Sequence, residues 1–355
     1  MRAAAAVVAA GAALVAGCAG PSLSAKLPPK DRAVLEATAR EPRDMGVDLV
    51  SNGRARELRS AWRVVSRRSG EIPFQASRRA GEPLVIATVN GQEVLAIVDT
   101  GASATIVEAA AAVRLGIVPL REPRIQSKPG TGTMLLMQGQ ALGARFGQFL
   151  GVANEVEAGG LRVAAVPIGI LDLAAGIGHA NGHPGRRAEM LLGADVLRLA
   201  GRVTFDFPGN RVLFGDPQAA LRGRRIVTTV PLVEASPVPL IEVEVQGLGN
   251  TAMAIDTGGD FDLWLPLCVG GNLPIERLGQ SLVHVGTSIG GQTLSVPTVR
   301  RQVYVGGRNL GPIYMEVDLL GRFASPVPYG LLGRRALKRF VVSIDYEQGW
   351  ITFAQ

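Results

Sequence analysis

The sequence is poor in several residue types that commonly mark a function. Only two of 355 residues are cysteine, aromatic residues make up 5%, and charged residues make up 19%. So few cysteines exclude a disulfide framework. What remains is aliphatic and rich in glycine and proline, and no long charged tract follows the N-terminal arm. That composition is typical of a folded, turn-rich body with much β-structure rather than of a disordered chain.

Positive charge is in excess, yet it says little about function. The net charge of +7 is carried almost entirely by arginine, and much of it lies within 54–79. A basic surface can attract anionic lipid or an acidic partner. A solvated arginine-rich face explains the same excess and is the favoured interpretation. No helix-turn-helix, zinc-finger or RNA-binding pattern accompanies the charge, so we expect no nucleic-acid partner.

The N-terminus has the pattern of a targeting segment. A positive residue, Arg2, precedes an apolar run that is too short to span a bilayer comfortably and that ends in small residues. The run Val-Ala-Gly-Cys ending at Cys18 resembles a bacterial lipobox, which implies removal of residues 1–17 and lipidation of Cys18. An ordinary cleaved secretory signal is the alternative. Several acyl chains would anchor the chain stably, and Ala19 favours the outer membrane, so we expect a periplasm-facing envelope lipoprotein.

Residues 18–70 are interpreted as a tether before the body of the protein. Two helices are predicted, over 31–40 and over 54–68, the second from the helical spacing of its apolar residues. The second segment fits either a membrane-surface helix or, preferably, a helix packed on the body. Two roles fit the arm, a propeptide that blocks a cleft and a spacer from the membrane, and the spacer is favoured.

From Glu71 onward the sequence repeats itself, which predicts two lobes at 71–220 and 221–355. Each half starts with a hairpin that runs into the triplet Asp-Thr-Gly, and the first hairpin has an Asn90-Gly91 turn. Each half then has a flexible glycine-rich stretch, an alternating apolar segment, a Leu-Leu-Gly step and a final strand pair, in that order. Five shared features indicate a duplicated, all-β domain with two barrel-like lobes.

One segment has no counterpart in the second half. Residues 174–187 contain His179 and His183, a spacing that could bind zinc on a helix. Glycine and proline residues break any helix here, and no carboxylate-led zinc motif is present. We therefore expect a surface insertion and no metal. The other cysteine, Cys268, lies in an apolar-to-glycine stretch without a nearby histidine, so we expect a buried thiol rather than a nucleophile.

The two triplets place a carboxylate at the end of a buried strand. Asp99 follows Leu-Ala-Ile-Val, and Asp256 follows Ala-Met-Ala-Ile. If the two turns meet at a pseudo-two-fold axis, their carboxylates are too close for both to ionise. Such a pair shares one proton, so one member activates a water while the other polarises a carbonyl. That chemistry hydrolyses peptide bonds without a metal, a cofactor or a covalent nucleophile.

At these motifs the chain resembles the bacterial single-chain aspartyl proteases of the retropepsin-like and pepsin-like superfamily, over about residues 71–355. The first motif, Asp-Thr-Gly-Ala-Ser, matches the family pattern throughout, and Leu-Leu-Gly at 191–193 supplies its closing step. The resemblance implies a catalytic pair of Asp99 and Asp256. It further implies roles for eight other residues. The supporting residues of the pair are Thr100, Gly101, Thr257 and Gly258, and the substrate contacts are Ser103, Asp260, Gly132 and Gly290. The glycine-rich stretches near 128–139 and 286–292 would be flaps over a bound peptide.

The second motif departs from the pattern, because Gly259-Asp260 replaces Ala-Ser. Asp260 is a candidate for contact with the substrate backbone, or a turn residue that faces solvent and Asp262. If it crowds the pair, a third carboxylate raises the shared pKa and moves the optimum towards neutral pH.

The expected function is therefore an aspartic endopeptidase that acts on extended segments of envelope proteins. We expect it to be a monomer whose two lobes pair within one chain, with no cofactor. The alternative is a catalytically silent, lipid-anchored peptide-binding protein on the same fold. Retention of two opposed aspartates argues against that alternative, because folding does not require them. A metal-dependent hydrolase is excluded by the spacing of the histidines.

Overall fold

The computed structural model describes most of the chain in separate stretches. The described residues are 27–51, 56–60, 62–75, 83–121, 134–141, 144–172, 188–233, 238–266, 282–287, 293–317 and 329–355. Cys18, His179, His183 and Cys268 lie outside them, as do Gly132 and Gly290.

Strands dominate these residues, and the helices are short. The helices are α1 Pro29–Thr38, α2 Ala109–Arg114, α3 Ala194–Leu197, α4 Gln218–Leu221 and α5 Arg334–Leu337. The strands before residue 220 are β1 Val47–Ser51, β2 Arg56–Ser60, β3 Arg63–Arg67, β4 Gly70–Pro73, β5 Leu84–Val89, β6 Gln92–Asp99, β7 Ile106–Glu108, β8 Val118–Pro119, β9 Leu136–Ala141, β10 Ala144–Ala158, β11 Leu161–Leu171, β12 Met190–Gly193, β13 Arg202–Asp206 and β14 Arg211–Phe214. Those after it are β15 Ile226–Pro231, β16 Leu240–Val245, β17 Gly249–Asp256, β18 Leu263–Leu265, β19 Leu282–Thr287, β20 Thr293–Val305, β21 Arg308–Val317, β22 Gly330–Gly333, β23 Val341–Asp345 and β24 Trp350–Ala354.

The two halves have the same strand pairing. In the first half β5 pairs with β6, β12 lies parallel to β6, β7 lies between β12 and β11, and β10 joins β11 to β5. In the second half β16, β17, β22, β18, β21 and β20 repeat those pairings with the same parallel or antiparallel sense. Because β10 and β20 return to the first strand of their own half, each half closes into a barrel-like lobe. This confirms the predicted all-β, two-lobed acid-protease fold.

Local sequence explains why each lobe begins with a hairpin. The turn between β5 and β6 is Asn90-Gly91, and both residues have positive φ, at 52° and 77°. Asparagine and glycine tolerate that conformation, and the resulting turn matches the twist of paired strands. The side chain of Asn90 also donates to the carbonyl of Leu115 at 2.8 Å, so the turn is tied to the end of α2.

A third sheet is built from both halves and joins the lobes. Its order is β15-β24-β23-β13-β14-β4. Strand β13 of the first half pairs antiparallel with β23 of the second, and their central residues, Thr204 and Ser343, share a buried hydrogen bond of 2.8 Å. The lobes are thus connected by a continuous hydrogen-bonded ladder as well as by the chain.

The N-terminal arm is helical only in its first part. The predicted helix over 31–40 is present as α1, whose Leu35 is buried on the first lobe with 1% of its surface exposed. The predicted helix over 54–68 is wrong, because this stretch forms β2 and β3. β3 pairs with β11 and alternates between exposed and half-buried residues. An open sheet edge offers backbone hydrogen bonds, and its β-branched Val64 and Val65 suit a strand better than a helix. The arm thus contributes a strand to the first lobe's sheet before residue 71.

Candidate active site

The two Asp-Thr-Gly turns meet between the lobes. Asp99 ends β6 and Asp256 ends β17, and each strand has the closing Leu-Leu-Gly strand of its own lobe as a parallel neighbour. Gly193 pairs with Asp99, and Gly333 pairs with Asp256. Apolar residues on both sides of each strand bury the end of the sheet. Each carboxyl group therefore stands at the end of a buried, paired strand.

The threonines of the triplets lock the turns together. Thr100 donates from its hydroxyl to the carbonyl of Ile255 at 2.6 Å, and Thr257 donates to that of Val98 at 2.7 Å. Each hydroxyl also accepts the backbone N–H of the opposite threonine, at 3.2 Å and 3.1 Å. Both threonines are fully buried. This symmetrical set fixes one turn against the other across the interface.

The glycines of the triplets let the carboxyl groups approach. A Cβ atom at Gly101 would lie 2.5 Å from Cγ of Asp256, and one at Gly258 would lie 2.5 Å from Cγ of Asp99. Those distances are too short for any side chain, so each carboxyl group packs directly on the backbone of the opposite turn.

Burial and hydrogen bonds from the turns set the pKa values of the two aspartates. Asp99 accepts from the N–H groups of Gly101 at 2.8 Å and Ala102 at 3.2 Å, whereas Asp256 accepts from that of Gly259 at 2.8 Å. Burial raises the pKa of Asp256 well above its usual value, and the charge of Asp99 raises it further. Burial also raises the pKa of Asp99, but the Gly101 N–H and the hydrogen bond from Asp256 oppose that rise. Because both pKa values are raised and the groups are coupled, the pair shares one proton and titrates as a unit.

The structure describes two of the four proposed substrate contacts, Ser103 and Asp260. Ser103 is exposed beside the first turn. The carboxylate of Asp260 accepts from Nη2 of buried Arg334 at 2.9 Å, so a cation compensates its charge. The possible flap at 128–139 is described only in its last part, where β9 pairs with β10, and the one at 286–292 only in its first two residues, at the end of β19.

Sequence reasoning missed the residues that hold the two turns from behind. In the first lobe, buried Asp195 accepts from the N–H and the hydroxyl of Thr105, at 2.8 Å and 2.7 Å. Burial raises the pKa of Asp195 to about 6, although the hydrogen bonds from Thr105 oppose the rise. In the second lobe, Arg334 and Arg335 follow the closing glycine instead. The signal was present in the sequence, as the residues just after each Leu-Leu-Gly step, Ala-Asp in one half and Arg-Arg in the other.

Within the described stretches, no group of three or more histidine, cysteine, aspartate or glutamate side chains could hold a metal ion. None of the helices there is long and apolar enough to cross a membrane.

Comparison with known proteins finds a similarity in the first lobe. No curated protein matches the sequence. The crystal structure of the aspartic proteinase from Irpex lacteus is 14% identical, with a TM-score of 0.48, and the match covers 81% of this chain and 97% of that one. Residues 85–196 match the model of the family described as aspartyl protease. That stretch runs from β5 into α3 and contains both the Asp99 turn and its closing Leu-Leu-Gly strand, so this part of the chain is similar to the aspartyl protease family.

Proposed function

We propose that the chain is an aspartic endopeptidase in which Asp99 and Asp256 activate a water molecule to hydrolyse peptide bonds in extended segments of envelope proteins. The observation that supports this most directly is the mutual packing of the two carboxyl groups on the opposite glycines. A carboxyl pair held so closely cannot lose both protons near the pH at which an isolated carboxylate ionises. Among the described residues, nothing favours the catalytically silent alternative.

The proposed mechanism divides the work between the two aspartates. Ionised Asp99 removes a proton from the water as its oxygen attacks the carbonyl carbon of the peptide bond, while Asp256 donates its proton to the carbonyl oxygen. The neutral tetrahedral intermediate then collapses. The peptide C–N bond breaks, the amine nitrogen takes the proton from Asp99, and Asp256 recovers its own from the hydroxyl oxygen. The pair returns to its singly protonated form.

The pH dependence of cleavage tests this proposal. Because both folded-state pKa values are raised, the active, singly protonated pair persists above the pH range of ordinary carboxyl groups, about 3.9 to 4.3. We expect kcat/KM for an unfolded, alkylated protein mixture to fall at low pH as Asp99 gains a proton. It should fall again at higher pH as Asp256 loses its own. By the same linkage, the pair stabilises the fold below the unfolded-state pKa, and that stability is lost as pH rises through the folded-state pKa.

A chelator is the control for that experiment and should leave the rate unchanged. A rate that rises steadily to alkaline pH, or that requires a divalent cation, would contradict the carboxyl pair. New N-termini in the products, identified by mass spectrometry, distinguish hydrolysis within the chain from trimming at its ends.

We further propose that Cys18 carries lipid and holds the protein at the periplasmic side of the outer membrane. The support is the small-residue run that ends at this cysteine. Labelled palmitate should enter the wild-type protein expressed in bacteria, and the protein should partition into the detergent phase. The Cys18→Ala variant should take up no label and remain in the aqueous phase. Equal behaviour of the two proteins would favour an ordinary secretory signal.

A further inference from the structure

A cluster of charged side chains lies directly behind the second catalytic turn, outside the carboxyl pair itself. It consists of Asp260, Asp262, Glu316, Arg334 and Arg335. Three acids and two bases are gathered where the first lobe has a single buried acid, Asp195. The proposed reaction uses none of the five.

Arg335 lies at the centre of this cluster and is hydrogen-bonded to the second catalytic turn. Its guanidinium donates twice to the carbonyl of Asp260, from Nε at 3.0 Å and from Nη2 at 2.7 Å, and its backbone N–H donates to the carbonyl of Phe261 at 3.0 Å. Asp260 lies four residues after Asp256. The place of the guanidinium therefore helps to set the path of the catalytic turn.

Glu316 holds that guanidinium from β21. Its Oε1 accepts from Nη2 of Arg335 at 3.2 Å, while its Oε2 is buried with no hydrogen-bond partner within the described part of the chain. Only 1% of the residue is exposed. An ionised carboxylate in this position has lost most of its hydration and gained one ionic hydrogen bond, so its charge is poorly compensated.

The groups around Glu316 determine when it ionises. The neighbouring strands β18 and β20 place Trp264 and Thr298 opposite it, and neither titrates. Burial raises the pKa of Glu316 to about 7; the Arg335 charge opposes the rise, and the charges of Asp262 and Asp260 add to it. The group thus changes charge close to neutral pH.

The first lobe shows that this arrangement is not required by the fold. Strand register aligns Glu316 with Gly169, because their partners Trp264 and Ile106 pair with Leu331 and Leu191, which hold the same place in the two Leu-Leu-Gly strands. By the same register Arg335 aligns with Asp195, since the preceding glycines both pair with a catalytic aspartate. The second lobe therefore carries a Glu–Arg pair where the first has a glycine and a hydrogen-bonded acid.

We propose that Glu316 is a positioning residue for the second catalytic turn. Ionisation of Glu316 weakens the hydrogen bonds by which Arg335 holds that turn. The inference deepens the proposed function, and it rests on that function only for the statement that Asp256 is catalytic. At acidic pH, neutral Glu316 is tolerated in its buried site and the turn is held. Ionisation favours any opening that hydrates the carboxylate, because the proton is bound more tightly in the closed state than in the open one. The turn loosens as pH rises through neutrality.

Hydrogen exchange of backbone amides measures the opening of the second catalytic turn, and the measurement needs no substrate. The probes are the N–H groups of Gly259 and Arg334, which donate to the Asp256 carboxyl and to the Gly259 carbonyl. Their equivalents in the first lobe, Ala102 and Ala194, donate to the Asp99 carboxyl and to the Ala102 carbonyl, and the comparison of wild type with Glu316→Gln supplies the control. Between about pH 5.5 and pH 8, the protection factors of the second-turn amides should fall about tenfold in the wild type.

The Glu316→Gln variant should abolish the pH dependence, because its amide stays neutral while keeping the oxygen that accepts from Arg335. The matched control is Glu189→Gln in the first lobe, where the carboxylate accepts from Arg114 at the surface, and it should behave like wild type. A pH-independent second turn in the wild type would overturn the proposal, as would an equal fall in Glu316→Gln. Because the wild-type comparison needs no variant and no catalysis, its outcome is separate from that of the proposed hydrolysis.

A second readout ties the switch to activity. If the chain cleaves peptides, the alkaline limb of kcat should lie at higher pH in Glu316→Gln than in wild type, while the acidic limb is unchanged. Unchanged alkaline limbs alongside the expected exchange behaviour would limit the role of Glu316 to the structure of the turn and contradict its role in positioning.

Discussion

Replacement of Asp99 by asparagine is expected to lower kcat by about 10²–10⁴-fold, the usual contribution of a positioned acid or base. Asparagine has nearly the same shape, and its side-chain oxygen can still accept from the Gly101 N–H that now binds Asp99 at 2.8 Å. It lacks the basicity to take a proton from water. The loss should therefore appear in kcat rather than in folding, and steady-state cleavage beside circular dichroism measures both.

Two further variants make this test specific. Asp256→Asn should cost about as much as Asp99→Asn, and the double variant should cost little more than either, since the two act as one unit. Asp44→Asn, a change at a side chain that is 57% exposed, should have no effect. Cleavage that persists in Asp99→Asn would remove the pair from the mechanism. Multiplied losses in the double variant would show that the aspartates act separately.

Thr257→Val is expected to have the second large effect, on stability and activity together. Its hydroxyl donates to the carbonyl of Val98 and accepts from the N–H of Thr100, both in the other lobe. Valine fills the same volume but leaves those two buried groups unpaired, at a cost of about 1–3 kcal/mol each. Urea denaturation should show the loss as a lower midpoint, and kcat should fall because the carboxyl pair loses its fixed geometry.

The matched control is Thr229→Val, which removes an exposed hydrogen bond of 3.1 Å to Thr352. It should change the free energy of unfolding by less than about 0.5 kcal/mol, as expected for a surface substitution. Similar stabilities for Thr257→Val and Thr229→Val would mean that the threonine interlock contributes little to holding the lobes.

The fold was predictable because each half carries the same ordered signals. The Asn90-Gly91 turn, the triplets and the Leu-Leu-Gly steps are local features, and their repetition indicated two similar lobes before any contact was known. The helix expected over 54–68 failed for a non-local reason. Helical spacing of apolar residues cannot reveal that an unpaired edge of β11 is available to bind a strand.

The site was predictable only in part, for a related reason. Asp99 and Asp256 lie in recognisable turns, so their meeting followed from the repeat. The partners of Asp260 could not be predicted from the sequence. Arg334 and Arg335 come from a distant segment, and their charge alone does not show which group they contact. The three acids around Arg335 are gathered by strand register, which a single sequence does not display.

The ladder between β13 and β23 has a consequence for how the two halves can change. In a symmetric dimer of identical subunits, any substitution near the axis appears twice, so a charge placed beside one catalytic turn is placed beside the other as well. Here a single chain supplies both halves and the shared sheet keeps them in register. Each lobe is therefore free to vary by itself. The two lobes differ in this way behind their catalytic turns, with Glu316 and Arg335 in one and Gly169 and Asp195 in the other. A substitution behind one catalytic turn can therefore be selected without a matching change behind the other.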